Sequence, residues 1–158
     1  MPDLNLRDLR VASETWRDGG TIPVDSTEDG DGRSPEVHWS GVPNGTVELA
    51  LVLHDPDAPL VDGFTHWAVH GIDPGETGLA TGQDPADIGA ITDLNELGTA
   101  AYTGPAPPPG HGVHHYFLHL YALDEPVDSE APLEPEALHE RLRDHVLAQA
   151  RLVATYAR

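Results

Sequence analysis

The stretch "GPAPPPGHGVHHYFLHLYAL", residues 104–123, decides the fold. Its second half alternates. His114, Tyr116, Leu118, Leu120 and Ala122 fall on one face of an extended chain, and His115, Phe117, His119 and Tyr121 on the other, because successive side chains of a strand point to opposite sides. The first set makes the better core face, and it places His114 and Tyr116 on the same side, about 7 Å apart. The first half is crowded with proline, and each proline fixes φ. A stiff loop therefore delivers histidines to the mouth of a core strand.

Working outward, "VPNG" at 42–45 is a turn in which Pro43 presets φ and Asn44-Gly45 tolerates positive φ. "TVELALVLHDPDAP" at 46–59 follows as a strand, with Val47, Leu49, Leu51, Leu53 and Asp55 on one face. An aspartate thus ends an apolar stripe. "FTHWAVHGI" at 64–72 reads as another strand, with His66, Ala68, His70 and Ile72 on one side and Thr65, Trp67 and Val69 on the other. Both sides are mixed, so periodicity leaves its inward face open. Leu4, Leu6, Leu9 and Val11 suggest short strands near the start.

Residues 18–36, "DGGTIPVDSTEDGDGRSPE", are polar and Gly-rich and read as loop. Asp25, Thr27, Asp29, Gly30 and Glu36 approach the spacing of a helix-loop-helix calcium site. Gly32 in place of an apolar residue, Pro35 before the last ligand and the extended "VHW" after it reject that reading. The end differs again. Leu138, Leu142, Val146, Ala150 and Val153 recur at helical spacing, with Leu147 and Ala154 widening the stripe. Pro135 and the early glutamates suit a helix start, so a C-terminal helix is expected over 135–157. The sum is a mainly β chain, an antiparallel β-sandwich with a C-terminal α-helix.

At 158 residues the chain suits one domain, 1–158. "MPDLNLRDLR" has no apolar core of a signal peptide and no run approaches a membrane span, so a cytoplasmic protein is expected. The chain has no cysteine, which excludes disulfides and thiolate chemistry. Its formal net charge is -19, and all 8 basic residues are arginines. Such self-repulsion is relieved by salt, so the composition reads as adaptation to a salt-rich cytoplasm. It also argues against nucleic acid and bulk anionic membrane as partners, since phosphate-backbone affinity rests on Lys and Arg. Between Arg33 and Arg141 there is no permanent positive charge, so any cation there is a histidine.

Asp55, His66, His114 and Tyr116 form a coherent set at strand ends. A carboxylate bound to one imidazole nitrogen fixes the tautomer and leaves the other nitrogen to meet a ligand. Taken singly, a strand histidine is more often structural, "DPDAP" can be only a rigid turn, and the proline cluster can be a partner-binding polyproline segment. The order of "DPDAP", "THW" and "GPAPPPGHGVHHYFLHLYAL", with "SPEVHWSGVPNGT" before and "HVLAQARLVATYAR" after, resembles the phosphatidylethanolamine-binding, Raf-kinase-inhibitor-like family in its prokaryotic branch. The likeness runs over roughly 33–158.

The resemblance implies a β-sandwich with a pocket for phosphate or phosphate-bearing headgroups. Carried over by motif, Asp55, Asp57 and Pro59 come from the first element and His66 from the second. Gly104, Pro107 and Pro108 form the Pro-rich wall, and His114 and Tyr116 complete the set. The family usually has arginine between the last two, and His115 stands there instead. A clamp of neutral donors and imidazoles is therefore expected to bind weakly, and more tightly at lower pH. No cofactor, metal or catalytic residue is assigned. A metal- or acid/base-dependent hydrolase using Asp55, Asp57, His66 and His114 is the enzymatic alternative. A homodimeric interaction protein, with His115, Phe117 and Tyr121 at its contact face, is the third; the sequence names no protein partner.

Overall fold

The structure is a computed structural model that describes residues 7–158. Strands β1 (Arg10–Ala12), β2 (Val37–Ser40) and β5 (Gly78–Leu79) form a three-stranded sheet in the order β1-β2-β5. The larger sheet holds β3 (Glu48–Asp55), β4 (Phe64–Ile72), β6 (Ile91–Thr92), β7 (His114–Leu123) and β8 (Val146–Tyr156), ordered β6-β4-β3-β7-β8. Every pairing within the two sheets is antiparallel. The sandwich expected from the alternation is present.

β3 and β7 are its axis. Their register sets Leu49 against Ala122, Leu51 against Leu120 and Leu53 against Leu118, and all six are fully buried between the sheets. Burying a leucine stabilises the fold by about 1.5–3 kcal/mol, so slipping this register by one residue would turn the whole stripe outward. Val47 begins that stripe in sequence but lies just before β3 and is 50% exposed. The opposite face of β3 is also apolar. Ala50 and Val52 pack with Ala68, Leu138 and Leu142, so the central sheet has a second core beneath its helix.

That helix is shorter than expected. α1 covers only Pro135–Leu142, and Asp144 takes φ 67, a left-handed value that ends a helix. Residues 146–156 are strand β8, paired with β7 from Leu123↔Val146 to His114↔Tyr156. The helical reading of 135–157 is corrected accordingly. Ala148, Ala150, Leu152 and Ala154 are buried in the inter-sheet core, so the apolar positions also satisfy a period of two. Alanine's helix preference is a weak prior, and here it yields to the ladder that β7 needs along its free edge. The far edge of β8 is covered in turn, for Gly19 N donates to Val153 O and Ile22 N to Thr155 O.

Residues 18–36 contain no strand of either sheet. They form a 3-10 turn at Val24–Ser26 and an isolated bridge from Thr21 to Thr155. The segment is not a free loop, because Ile22, Ser26 and Thr27 are buried. Of the N-terminal pattern, Leu4 and Leu6 lie outside the described residues. Val11 is in β1, and Leu9 is buried just before it.

Candidate functional site

β3 ends at Asp55, β4 begins at Phe64 and β7 begins at His114. Antiparallel order therefore brings all three to one end of the sheet. A cavity of about 450 Å³ opens there. It is lined by Asp55, Pro59, His66, Gly104, Pro107, Pro108, His114 and Tyr116 among others. Eight of the nine residues singled out from sequence thus share one cavity.

His66 reaches it through a bulge. Thr65 pairs with His54 and Trp67 with Leu53, so β4 has one extra residue at His66 and the alternation breaks there. His66 consequently lies 5.3 Å from the Tyr116 ring, edge-on, while Trp67 also packs in the inter-sheet core. This is why periodicity could not assign its face.

The ninth residue, Asp57, is not in the cavity wall. Its Oδ2 accepts from the His115 backbone N–H at 2.7 Å and from His115 Nδ1 at 2.8 Å. Burial opposes charge on Asp57, but the His115 hydrogen bonds outweigh it and hold the carboxyl below its usual range. Asp57 thus fastens the 55–57 turn to β7, and the histidine standing at the family's arginine position is its partner.

Asp55 is the buried anchor. Its Oδ1 accepts from Asp57 N at 2.7 Å and its Oδ2 from His114 Nδ1 at 2.7 Å. A carboxylate can only accept, so His114 carries its proton on Nδ1, and neutral His114 presents a lone pair at Nε2. The same logic holds for His66, whose Nδ1 donates to the Thr103 carbonyl at 2.9 Å. Burial lowers the His66 pKa despite the Thr103 carbonyl and Asp55, so that ring is neutral in ordinary conditions. Tyr116 is the constant donor. Burial, and next the Asp55 carboxylate, push its pKa well up. Both imidazoles gain an N–H for an anion only on protonation.

Sequence reasoning missed Glu28, which also lines the cavity. Its Oε1 accepts from Gly104 N at 3.1 Å, and its own N–H donates to Pro105 O. The approach is close. A Cβ on Gly104 would meet Ser26 O at 2.8 Å, so this position requires glycine. Seventy-six residues separate Glu28 from Gly104, and no local pattern announces the contact. Leu60, Phe64 and Leu97 add an apolar rim, with Leu60 at 55% and Leu97 at 67% exposure. Among the described residues no three His, Asp or Glu side chains converge as a metal-binding group.

Residues 12–157 match the family model described as phosphatidylethanolamine-binding protein. A UPF0098 protein from Methanothermobacter thermautotrophicus is 39% identical over 155 residues, covering 95% of this chain and 99% of the relative. The crystal structure of Escherichia coli YbcL superposes with a TM-score of 0.89 at 28% identity, over 96% of this chain and 99% of that one. A Mycobacterium tuberculosis protein, LppC, whose name marks it as a candidate lipoprotein, is 41% identical over 151 residues, 94% of this chain and 72% of its own. Among the described residues no helix is long and apolar enough to cross a membrane. With a family model spanning nearly its whole length and relatives alike in sequence and in fold, the chain belongs to the phosphatidylethanolamine-binding protein family.

Proposed function

We propose that this protein binds a small phosphate-bearing ligand in the cavity between Asp55, His66, His114 and Tyr116, and that binding tightens when His114 is protonated. One observation carries the reading: His66 and His114 each spend Nδ1 on an acceptor, so Nε2 is the nitrogen left to meet a ligand, in His114 once His111 gives it up. Acid turns each Nε2 from acceptor to donor, and Tyr116 adds a donor that does not titrate in this range.

Glu28 sets the charge of the ligand. With Asp55 and Glu28 in the wall and no Lys or Arg among the lining residues, a multiply charged anion is disfavoured. A singly charged phosphate ester, or a zwitterion whose ammonium meets Glu28, suits the cavity better. The apolar rim of Leu60, Phe64 and Leu97 favours a ligand with a nonpolar part beyond its phosphate.

The enzymatic reading has less support, because His114 Nε2 faces another imidazole rather than a hydroxyl or thiol that it could activate. The homodimer reading is carried by no such observation. Its suggested face is partly covered, with Phe117, His119 and Tyr121 stacked on one another and Arg151 over Phe117. A cytoplasmic site of action remains part of the proposal, together with the salt-rich setting.

Thermal melts in molar potassium chloride test the function, with phosphate, phosphoethanolamine and nucleotides at pH 5.5 and 8. A ligand that binds only the folded state raises the melting temperature. The expected result is a rise at pH 5.5 that is lost in His114→Ala. No rise with any of them, or one unchanged in the variant, overturns the reading.

A further inference from the structure

His114 Nε2, the nitrogen that would meet an anion, is already occupied. His111 Nδ1 lies 2.6 Å from it, with the two ring centroids 4.8 Å apart. His111 is otherwise exposed, whereas His114 is 2% exposed. A surface side chain has folded back to cap a buried one.

The proton inventory fixes the direction of this bond. His114 Nδ1 donates to Asp55, so neutral His114 can only accept at Nε2, and His111 donates from Nδ1. Gly110 and Gly112 flank His111 with φ 75 and 93, so the turn that carries it takes left-handed backbone on both sides, and a Cβ at either would meet nothing within 4 Å. The turn itself is held, because Gly110 N donates to Arg158 O and His111 N to Pro108 O. The exposed His111 side chain thus stands on a turn whose backbone is held.

We propose that His111 is a proton-operated latch on the anion site. This rests on the reading of the cavity as an anion site and adds its regulation. With no extra proton the latch is closed and Nε2 carries a lone pair toward His111. One extra proton is shared across the same bond, on either ring. A second proton puts an N–H on both facing nitrogens. The bond is then lost, His111 moves to solvent, and His114 Nε2–H is left open to an anion. No group other than the two imidazoles and bulk water exchanges protons in this sequence.

The surrounding charges favour that outcome. Asp55 on β3 stabilises the charged His114 ring. Asp57, from the following turn, is held as a carboxylate beside it. Burial lowers the pKa of His66 on β4 and raises that of Tyr116 on β7. Arg158 contributes its carbonyl to the turn, and its guanidinium pairs with Asp29 at 2.9 Å. Two protons taken up per latch opening make anion affinity rise more steeply with acidity than one imidazole allows.

The test uses the full chain in molar potassium chloride between pH 5 and 8, with dimethyl phosphate as probe, because its single charge is constant there. Imidazole nitrogen resonances follow His111 and His114 in the wild type and in His111→Ala. The latch predicts that His114 titrates in coupled steps in the wild type and in a single step in the variant. It also predicts that His111→Ala binds dimethyl phosphate roughly two- to tenfold more tightly near pH 7, the worth of one hydrogen bond removed, with a shallower pH profile. Equal or weaker dimethyl phosphate binding by the variant overturns the latch and makes His111 a bystander or a ligand group. If neither protein binds dimethyl phosphate at any pH, the anion reading fails. The titration then decides alone whether the two rings are coupled, and identical His114 curves in both proteins overturn the latch.

Discussion

Asp55 Oδ2 and His114 Nδ1 are 2.7 Å apart, with side chains 3% and 2% exposed. The pair joins the end of β3 to the start of β7 and fixes which nitrogen of His114 is free. Losing a buried hydrogen bond to a charged group costs about 1.5–3 kcal/mol. Asp55→Asn is therefore expected to lose stability of roughly that size in urea unfolding, and to lose anion binding, because the amide no longer dictates the His114 tautomer. A variant of near wild-type stability and affinity would show that the pair is dispensable.

A second buried pair carries no site. His70 Nδ1 lies 2.8 Å from both Asp93 oxygens, and its Nε2 donates to Ser129 O at 2.8 Å. Burial opposes charge on His70, but Asp93 and then the Ser129 carbonyl outweigh it and raise its pKa. A raised folded-state pKa gives stability that is fully present below the unfolded value, about 6.5, and is lost as pH rises through the folded value. The deficit of His70→Gln relative to wild type should accordingly be larger at pH 6 than at pH 9. A deficit that grows with pH contradicts this.

His119 works in the opposite direction. Burial pushes its imidazole down to about 4, and its Nδ1 has no hydrogen-bond partner among the described residues. A depressed folded-state pKa gives stability that is present above about 6.5 and is lost as pH falls from there toward 4. His119→Phe keeps the stack between Phe117 and Tyr121, whose centroids lie 5.9 and 5.7 Å from His119. Its stability curve should be flatter between pH 6.5 and 4. An unchanged acid slope would place the acid sensitivity elsewhere.

These variants also show what was legible in the sequence. β3, β4 and β7 were readable because alternation is local: Leu49, Leu51 and Leu53 needed no distant partner to be placed on one face. β8 was not, because Ala150 and Leu152 serve a helix or a strand equally, and only the open edge of β7 decides. The cavity was legible where family motifs carried it, at Asp55, His66, His114 and Tyr116. Asp57 went astray because His115, on another strand, competes for its carboxylate. Glu28 and the His111–His114 contact arise from loops folded over the cavity, and loop geometry leaves no periodic trace.

β8 itself can be checked by volume. Ala150 and Ala154 are fully buried between the sheets, whereas Gln149 lies on the other face opposite Tyr121. Overpacking a closed core costs about 1–3 kcal/mol. Ala150→Leu is expected to lose that much in chemical denaturation while Gln149→Leu stays near neutral. The reverse order would mean that the strand faces are exchanged.

The net charge of -19 gives a prediction of its own. Repulsion among exposed carboxylates is screened by salt, so the melting temperature should climb between 0.1 and 2 M potassium chloride, as rough working concentrations. A melting temperature independent of salt would remove the salt-rich setting from the account.

The cavity is expected to act as an anion site once His114 is protonated. Calorimetric titration with dimethyl phosphate at pH 5.5 and pH 8, on the wild type and on His114→Ala, checks this. Binding is expected at pH 5.5 and to be about tenfold or more weaker at pH 8, with none in the variant at either pH. Wild-type affinity equal at both pH values, or tighter at pH 8, would contradict it.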